Sequence, residues 1–222
     1  MKDIAKFIAG FGRFQAKYFR KPQGVFSHLC NGQQPCAMVI SCSDSRVDPA
    51  MLTEADPGEL FVIRNVANLV PPYHHESEAP GIRGAIELAV RSLGVEHIIV
   101  LGHSHCGGIQ ALMDGEGITQ HRYEFIGAWV GIAKRAREQV LRELPYKSPE
   151  LQARACEQAA ILISLDNLLT FPWIREGVDN NTLALHGWYF DIDSGELLEY
   201  CAETAAFGSS VSGHSYGQGV AA

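Results

Sequence analysis

Three side chains that bind soft metal ions follow two apolar runs of the sequence, at points where buried strands are expected to end. Cys42 follows the run CAMVIS, and His103 and Cys106 lie in HSHCGG, directly after HIIVLG. Two thiolates and an imidazole are typical ligands of Zn²⁺, whose catalytic sites hold three protein ligands and leave a fourth position open. The residues therefore predict a zinc centre, with one ion per chain held by Cys42, His103 and Cys106. His105 is expected to point elsewhere.

An aspartate and an arginine stand beside the first of these ligands, in the stretch SCSDSRVDP. Because two thiolates activate a bound water less than neutral imidazoles would, Asp44 is predicted to orient a zinc-bound hydroxide by accepting its hydrogen bond. The same carboxylate could instead occupy the fourth position on the metal. Arg46 favours the first role, since a bidentate guanidinium keeps Asp44 ionised and off the metal. A surface ion pair without a catalytic role is the alternative.

Alternating strands and helices are predicted to position these residues. Apolar runs predict strands at 37–41, 59–64 and 97–102, and apolar periodicity predicts helices at 81–93, 123–144 and 149–169. Two further apolar segments flank the turn Asp193-Ser194-Gly195, which predicts an added strand or a hairpin at one sheet edge. We therefore expect an α/β fold: a mainly parallel sheet of four to five strands with flanking helices and ligands beyond the carboxyl ends of the strands.

The first twenty residues predict an amphipathic helix that needs a cover. Its apolar residues recur at spacings of three and four: Ile4, Phe7, Ile8, Phe11, Phe14 and Tyr18. A membrane surface usually requires a more basic polar face, so docking on the body or on a second subunit is favoured. The predicted organisation is one domain at 1–207, with a helical arm at 1–35 and a tail at 208–222. The tail is expected to be flexible, with docking on a partner as the alternative.

Composition excludes several function classes. The net charge is −7 and the basic residues are dispersed, so we expect no nucleic-acid partner. Apolar runs shorter than about 20 residues predict no membrane span, and the charged start of the chain predicts no export signal. The expected location is the cytoplasm, with a carboxysome or similar compartment as the alternative. Six widely spaced cysteines in a chain of 222 residues favour metal binding or catalysis over disulfides.

Four longer stretches, running from about Gln33 to Asp193, carry a family resemblance: CSDSRV, FVIRNVANLVPPY, GAIELAVRSLGVEHIIVLGHSHCGG and LLTFPWIREG…TLALHGWYFD. They resemble the β-class carbonic anhydrases, particularly the plant-like and cyanobacterial branch. The resemblance implies the same three zinc ligands, an Asp44–Arg46 dyad and reversible hydration of carbon dioxide to bicarbonate and a proton. It also implies an obligate homodimer, or a tetramer or larger assembly, with the N-terminal helix lying over the partner subunit.

The same resemblance implies a substrate pocket and leaves the proton acceptor open. Gln33 matches a glutamine that reaches the neighbouring subunit's site and hydrogen-bonds bicarbonate, and Phe61 and Val66 match apolar walls suited to carbon dioxide. His74 and His75 have a suitable unperturbed pKa for a proton shuttle, with a solvated loop as the alternative.

Three other functions compete with carbon dioxide hydration. A CS₂ or COS hydrolase of the same fold would use the same ligands and differ only in pocket access and turnover. A scaffolding protein of a CO₂-concentrating assembly, stabilised by zinc, would not need the Asp44–Arg46 pair. A nucleotide-binding domain would fit the parallel sheet, but no Walker lysine or dinucleotide fingerprint supports it.

Overall fold

A six-stranded mixed sheet forms the centre of the protein. The computed structural model describes residues 4–20, 24–73, 80–115 and 123–210. The strands are β1 Ala37–Cys42, β2 Leu60–Asn65, β3 His97–His103, β4 Ala184–Asp191, β5 Glu196–Cys201 and β6 Ala206–Ser209. Their order is β2-β1-β3-β4-β5-β6; the first four run parallel, and β5 and β6 are antiparallel to their neighbours. The predicted, mainly parallel α/β fold is confirmed, with one strand more than expected.

The additional strand is β6, which pairs with β5 and places Phe207 opposite Tyr200. The predicted boundary between domain and tail, after residue 207, therefore falls inside β6. Residues 211–222, which make up most of the predicted tail, lie outside the described part of the chain.

Helices flank the sheet and connect its strands: α1 Ala5–Phe19, α2 Phe26–Leu29, α3 Pro49–Thr53, α4 Pro80–Glu87, α5 Gly107–Asp114, α6 Ile126–Val130, α7 Lys134–Glu143, α8 Pro149–Leu168 and α9 Pro172–Asp179. A π-helical turn, Leu88–Ser92, extends α4 until Gly94 ends it at φ 67°. The helix predicted at 123–144 is two helices joined by the 3₁₀ turn Gly131–Ala133. Glycine has a low helix propensity, which is consistent with the break at Gly131.

Side-chain caps begin two helices near the site, α3 and α8. Ser148 Oγ accepts a hydrogen bond from the Leu151 amide at 3.3 Å and so begins α8. Asp48 Oδ1 likewise accepts from the Met51 amide at 3.1 Å and begins α3, directly after the SCSDSRV stretch. Both caps are followed by proline at the first helical position, where no amide hydrogen is needed.

Helix α8 packs closely on β3 and β4, and two glycines make this approach possible. A methyl group at Gly102 would lie 2.8 Å from Ile161 Cδ1, and one at Gly187 would lie 3.1 Å from Ile161 Cγ2. The largest apolar cluster fills this interface and includes Met38, Ile40, Ile98, Val100, Ile161 and Tyr189. The sheet ends that carry the candidate ligands are therefore fixed to a rigid core.

The N-terminal helix α1 buries none of its residues in the single chain. Ile4, Phe7, Ile8 and Phe11 are each more than 60% exposed, so the first part of the apolar stripe is uncovered. Phe14 and Tyr18 are half-buried and pack against Phe26 of α2. Packing of this arm on a partner subunit stays a prediction. Among the described residues, no helix combines the length and apolar character needed to cross a membrane.

Candidate metal centre

The first two candidate ligands lie at the carboxyl ends of two neighbouring parallel strands. Cys42 is the last residue of β1 and His103 is the last residue of β3, and these strands pair directly. Cys106 occupies the N-cap position of α5, three residues after His103. The third ligand therefore lies where the chain turns from strand into helix.

The ligand atoms of Cys42, His103 and Cys106 form a compact group. They all lie within 4.8 Å of one another, and the two sulfurs are 3.9 Å apart. The three residues are 5%, 1% and 2% exposed, respectively. Two sulfurs and a nitrogen at this spacing can bind one tetrahedral ion and leave a fourth position for a small molecule.

His103 presents an unsatisfied lone pair to this group. Its Nδ1 lies 2.8 Å from the Ser104 carbonyl oxygen, which assigns the ring proton to Nδ1. Its Nε2 is buried and has no hydrogen-bond partner among the described residues. A buried polar atom without a partner is costly in a folded protein. A metal ion on Nε2 would remove this cost, so the donor set fits Zn²⁺.

The two cysteines interact strongly with each other. The hydrogen bond from Cys106 lowers the pKa of Cys42, while the same bond, together with burial, raises the pKa of Cys106. The two thiols are therefore coupled through this contact. A divalent cation bound to both would replace the hydrogen bond between them, because a thiol that coordinates zinc is deprotonated.

Asp44 and Arg46 form a forked ion pair beside the ligands. Arg46 donates from Nε to Asp44 Oδ1 at 3.0 Å and from a terminal nitrogen to Oδ2 at 2.7 Å. These bonds hold the pKa of Asp44 well below its usual range, so the carboxylate is ionised. Asp44 Oδ2 lies 4.0 Å from His103 Nε2, close to where a metal would sit.

Hydrogen bonds from the Arg46 and Arg64 side chains to backbone carbonyl oxygens hold this ion pair in place. Arg46 also donates to the His105 carbonyl oxygen at 3.1 Å, which links it to the other ligand loop. Arg64, on β2, donates to the carbonyl oxygens of Cys42 at 3.0 Å, Asp44 at 2.6 Å and Val47 at 2.7 Å. Arg64 therefore fixes the backbone of the Asp44 loop.

A buried carboxylate on α8 accepts a hydrogen bond from the backbone of Cys106. Glu157 is 5% exposed; it accepts from the Cys106 amide at 2.9 Å and from the Tyr189 hydroxyl at 2.7 Å. Burial raises the pKa of Glu157 and of Tyr189. Arg154 lies over the Tyr189 ring and pairs with Asp191, so the carboxylate belongs to a larger polar network. Sequence reasoning did not identify this network.

The support given by Glu157 leads to a prediction. We expect Glu157→Gln to weaken zinc binding about tenfold, the lower end of the range for groups that orient metal ligands. Both partners of Glu157 are donors, and glutamine offers only one acceptor oxygen. Either the Cys106 amide or the Tyr189 hydroxyl is then left without an acceptor, which also costs about 1–3 kcal/mol of stability. Competition with a chromophoric chelator measures the zinc affinity, and urea denaturation measures the stability.

Glu138→Gln, on the exposed face of α7, is the matched control and should change neither quantity. Tyr189→Phe separates the two effects, because it removes one donor and leaves the Cys106 bond intact. A Glu157→Gln protein with the zinc affinity of the control would show that the carboxylate serves stability alone.

The remaining predicted site residues lie at different distances from the metal group. Val66 packs against the apolar cluster that contains Cys42 and Cys106. Phe61 pairs with Met38, four positions before Cys42 along β1, which is about 13 Å away at about 3.3 Å per residue. Gln33 is exposed and precedes β1. In a single chain, Phe61 is therefore not beside the ligands, and Gln33 precedes the end of β1 that is opposite Cys42.

The structure describes His105 but not His74 and His75, so only the prediction for His105 can be compared with it. His105 is exposed, lies outside the ligand group and pairs with Asp193 at 2.7 Å, in agreement with the prediction that it points elsewhere. His74 and His75 fall outside the described residues, so the shuttle stays untested.

Comparisons with known proteins agree on one family. A family profile described as carbonic anhydrase matches residues 37–197. The chain is 41% identical to β-carbonic anhydrase 5, chloroplastic, of Arabidopsis thaliana over 181 residues, which is 82% of this chain and 59% of that protein. It resembles the β-carbonic anhydrase CcaA with a TM-score of 0.86 at 35% identity, covering 92% of this chain and 98% of the other. A structure from the tetrameric β-carbonic anhydrases of Sordaria macrospora matches with a TM-score of 0.72 at 30% identity, covering 88% and 92%.

Proposed function

Since the chain belongs to the β-class carbonic anhydrases, we propose that it catalyses the zinc-dependent, reversible hydration of carbon dioxide to bicarbonate and a proton. The observation that carries the proposal is the unpartnered Nε2 of His103, buried together with the two cysteine sulfurs. Zn²⁺ bound there would lower the pKa of a bound water and so supply a nucleophile near neutral pH.

Asp44 is the proposed orienting group. Its carboxylate lies beside His103 Nε2 and can accept a hydrogen bond from the attacking water, which aims a lone pair of that water at carbon dioxide. Arg46 occupies both carboxylate oxygens and so opposes direct binding of Asp44 to the metal. A closed structural zinc site has no need of this ion pair, so the pair favours an enzyme over a scaffold.

Carbon dioxide carries no net charge, and an apolar wall suits it. Val66 supplies such a wall within the chain, because it packs against the apolar cluster that includes Cys42 and Cys106. We infer that Phe61 and Gln33 act at the site of a neighbouring subunit in a homodimer, since Phe61 pairs four positions before Cys42 and Gln33 precedes the opposite end of β1. Within the part of the chain that the structure describes, β2 is an edge strand with no second neighbour, and the first half of the apolar stripe of α1 is exposed; both observations support such a contact.

Stopped-flow measurement of carbon dioxide hydration with a pH indicator tests the proposed activity. Protein with one zinc ion per chain should turn over rapidly, lose activity on removal of zinc by a chelator and regain it when zinc is restored. CS₂ and COS are measured in parallel. Zinc-loaded protein that hydrolyses one of these but not carbon dioxide would overturn the proposal. The family match gives no support to either sulfur substrate or to scaffolding, and the cytoplasmic location stays a prediction.

Gln33→Ala tests the proposed contact between subunits. We expect carbon dioxide hydration to fall about tenfold while zinc stays at one per chain. The variant loses one hydrogen bond to bicarbonate, and the free energy of one such bond corresponds to about a tenfold change. Stopped-flow kinetics and metal analysis of the same sample provide the measurement. Gln34→Ala is the matched control, since Gln34 is the adjacent exposed glutamine. Loss of zinc in Gln33→Ala, or equal kinetics in both variants, would rule out the substrate contact.

A further inference from the structure

Two histidines meet on the sheet, far from the candidate metal centre. His97 begins β3, and His186 lies on β4, two positions beyond the residue that pairs with His97. Residues two positions apart point to the same face of a strand, so both rings lie on one face of the sheet. His97 Nδ1 and His186 Nε2 are 3.1 Å apart, and the ring centroids are 5.2 Å apart.

A carboxylate on the next strand orients this pair. Glu199, on β5, lies with Oε1 3.3 Å from His186 Nδ1, and the Trp188 indole nitrogen donates to the same oxygen at 3.3 Å. When His186 donates from Nδ1 to Glu199, its Nε2 is unprotonated and directs its lone pair toward His97 Nδ1. Imidazoles that bind metals usually donate their other nitrogen to a carboxylate in this way.

We propose that His97 and His186 bind a second metal ion, a divalent ion that prefers imidazole such as Ni²⁺, Cu²⁺ or Zn²⁺, with Glu199 orienting His186. Two nitrogens bound to one tetrahedral ion at about 2.0–2.1 Å are about 3.3 Å apart, close to the spacing of this pair. His97 is exposed, which leaves room for water in the remaining positions. Among the described residues, the pair has no third protein ligand, so this ion exchanges readily.

The second site is independent of the first. His97 is the first residue of β3 and His103 is the last, which separates them by about 20 Å at about 3.3 Å per residue. The ion therefore bridges β3 and β4 at the end of the sheet opposite the Cys42–His103–Cys106 group. Its binding should leave carbon dioxide hydration unchanged.

Isothermal titration of zinc-loaded protein with NiCl₂ tests this site, with the zinc content measured before and after. We expect one Ni²⁺ per chain in the wild type, binding weakened more than tenfold in His97→Ala and in His186→Gln, and binding weakened about tenfold in Glu199→Gln. His28→Ala, which removes an exposed histidine on α2, is the control and should bind as the wild type does.

Absence of Ni²⁺ binding in the wild type, or binding in His97→Ala and His186→Gln as tight as in the wild type, would overturn the proposal and leave the pair as a hydrogen bond between strands. Loss of binding in both variants with full carbon dioxide hydration would support it. Because hydration is measured on the same samples, a failure of the second site is distinct from a failure of the proposed activity.

Discussion

Replacing Cys106 with serine is expected to empty the metal centre and to lower carbon dioxide hydration by more than about 100-fold. A serine hydroxyl is not ionised near neutral pH and does not replace a thiolate as a ligand of zinc. The loss should exceed the 10–100-fold effect typical of groups that only orient a ligand. Metal analysis after dialysis gives the zinc content, and stopped-flow kinetics give the activity.

The backbone around Cys106 should survive this change, because Glu157 holds the residue through its amide and not through its sulfur. Cys156→Ala is the matched control: Cys156 is a fully buried thiol in the same apolar cluster but lies outside the ligand group. Burial raises the pKa of Cys156 to about 12, so this thiol stays protonated. We expect the control to keep its zinc. A Cys106→Ser protein that keeps both zinc and activity would place the metal elsewhere.

The fold was predictable where the pattern of apolar residues is strong. Strands β1 and β3 are continuous apolar runs, as expected for parallel strands that are covered on both faces. Strand β6 was missed because Ala206–Ser209 contains one large apolar residue and lies at the sheet edge, where packing constrains the sequence weakly. The break at Gly131 was missed because the apolar periodicity continues across it.

The clustering of Cys42, His103 and Cys106 was predictable for a physical reason: parallel pairing brings the carboxyl ends of neighbouring strands together. Glu157 was not, because it lies 51 residues from Cys106 on a helix, and the helix's docking on the sheet is a property of the fold. One signal was available, since Glu157, Ala160, Ile161 and Ser164 share the buried face of α8. A charged residue on such a face needs a partner.

The His97–His186 pair illustrates a second limit of sequence reasoning. The two residues are 89 positions apart, and they meet because β3 pairs with β4 in one register. A shift of that register by one residue would turn one ring to the opposite face. Spacing along the chain does not predict the contact between His97 and His186, whereas His103 and Cys106 are close in sequence as well as in space.

Asp44→Asn is expected to keep zinc at one per chain and to lower carbon dioxide hydration near neutral pH by about 100-fold or more, the range typical of a positioned proton-accepting group. An amide oxygen is a weaker acceptor than a carboxylate, and the amide nitrogen would present a donor to the attacking water. The zinc ligands are unchanged, so the effect should fall on turnover and not on metal content. Arg46→Lys should also lower carbon dioxide hydration, because lysine cannot reproduce the two-point contact with Asp44. We expect this loss of activity to be smaller than that of Asp44→Asn.

Asp48→Asn provides the matched control for Asp44→Asn, since Asp48 belongs to the same loop and faces Arg64 at 3.3 Å. Asparagine caps a helix about as well as aspartate, so α3 should keep its start. The control should therefore retain nearly full activity, and its Arg64 should still hold the loop through the Asp44 and Val47 carbonyl oxygens. Equal activity in Asp44→Asn and Asp48→Asn would exclude Asp44 as the orienting group. Loss of zinc in Asp44→Asn would instead make the aspartate a fourth ligand, and the catalytic centre a closed site.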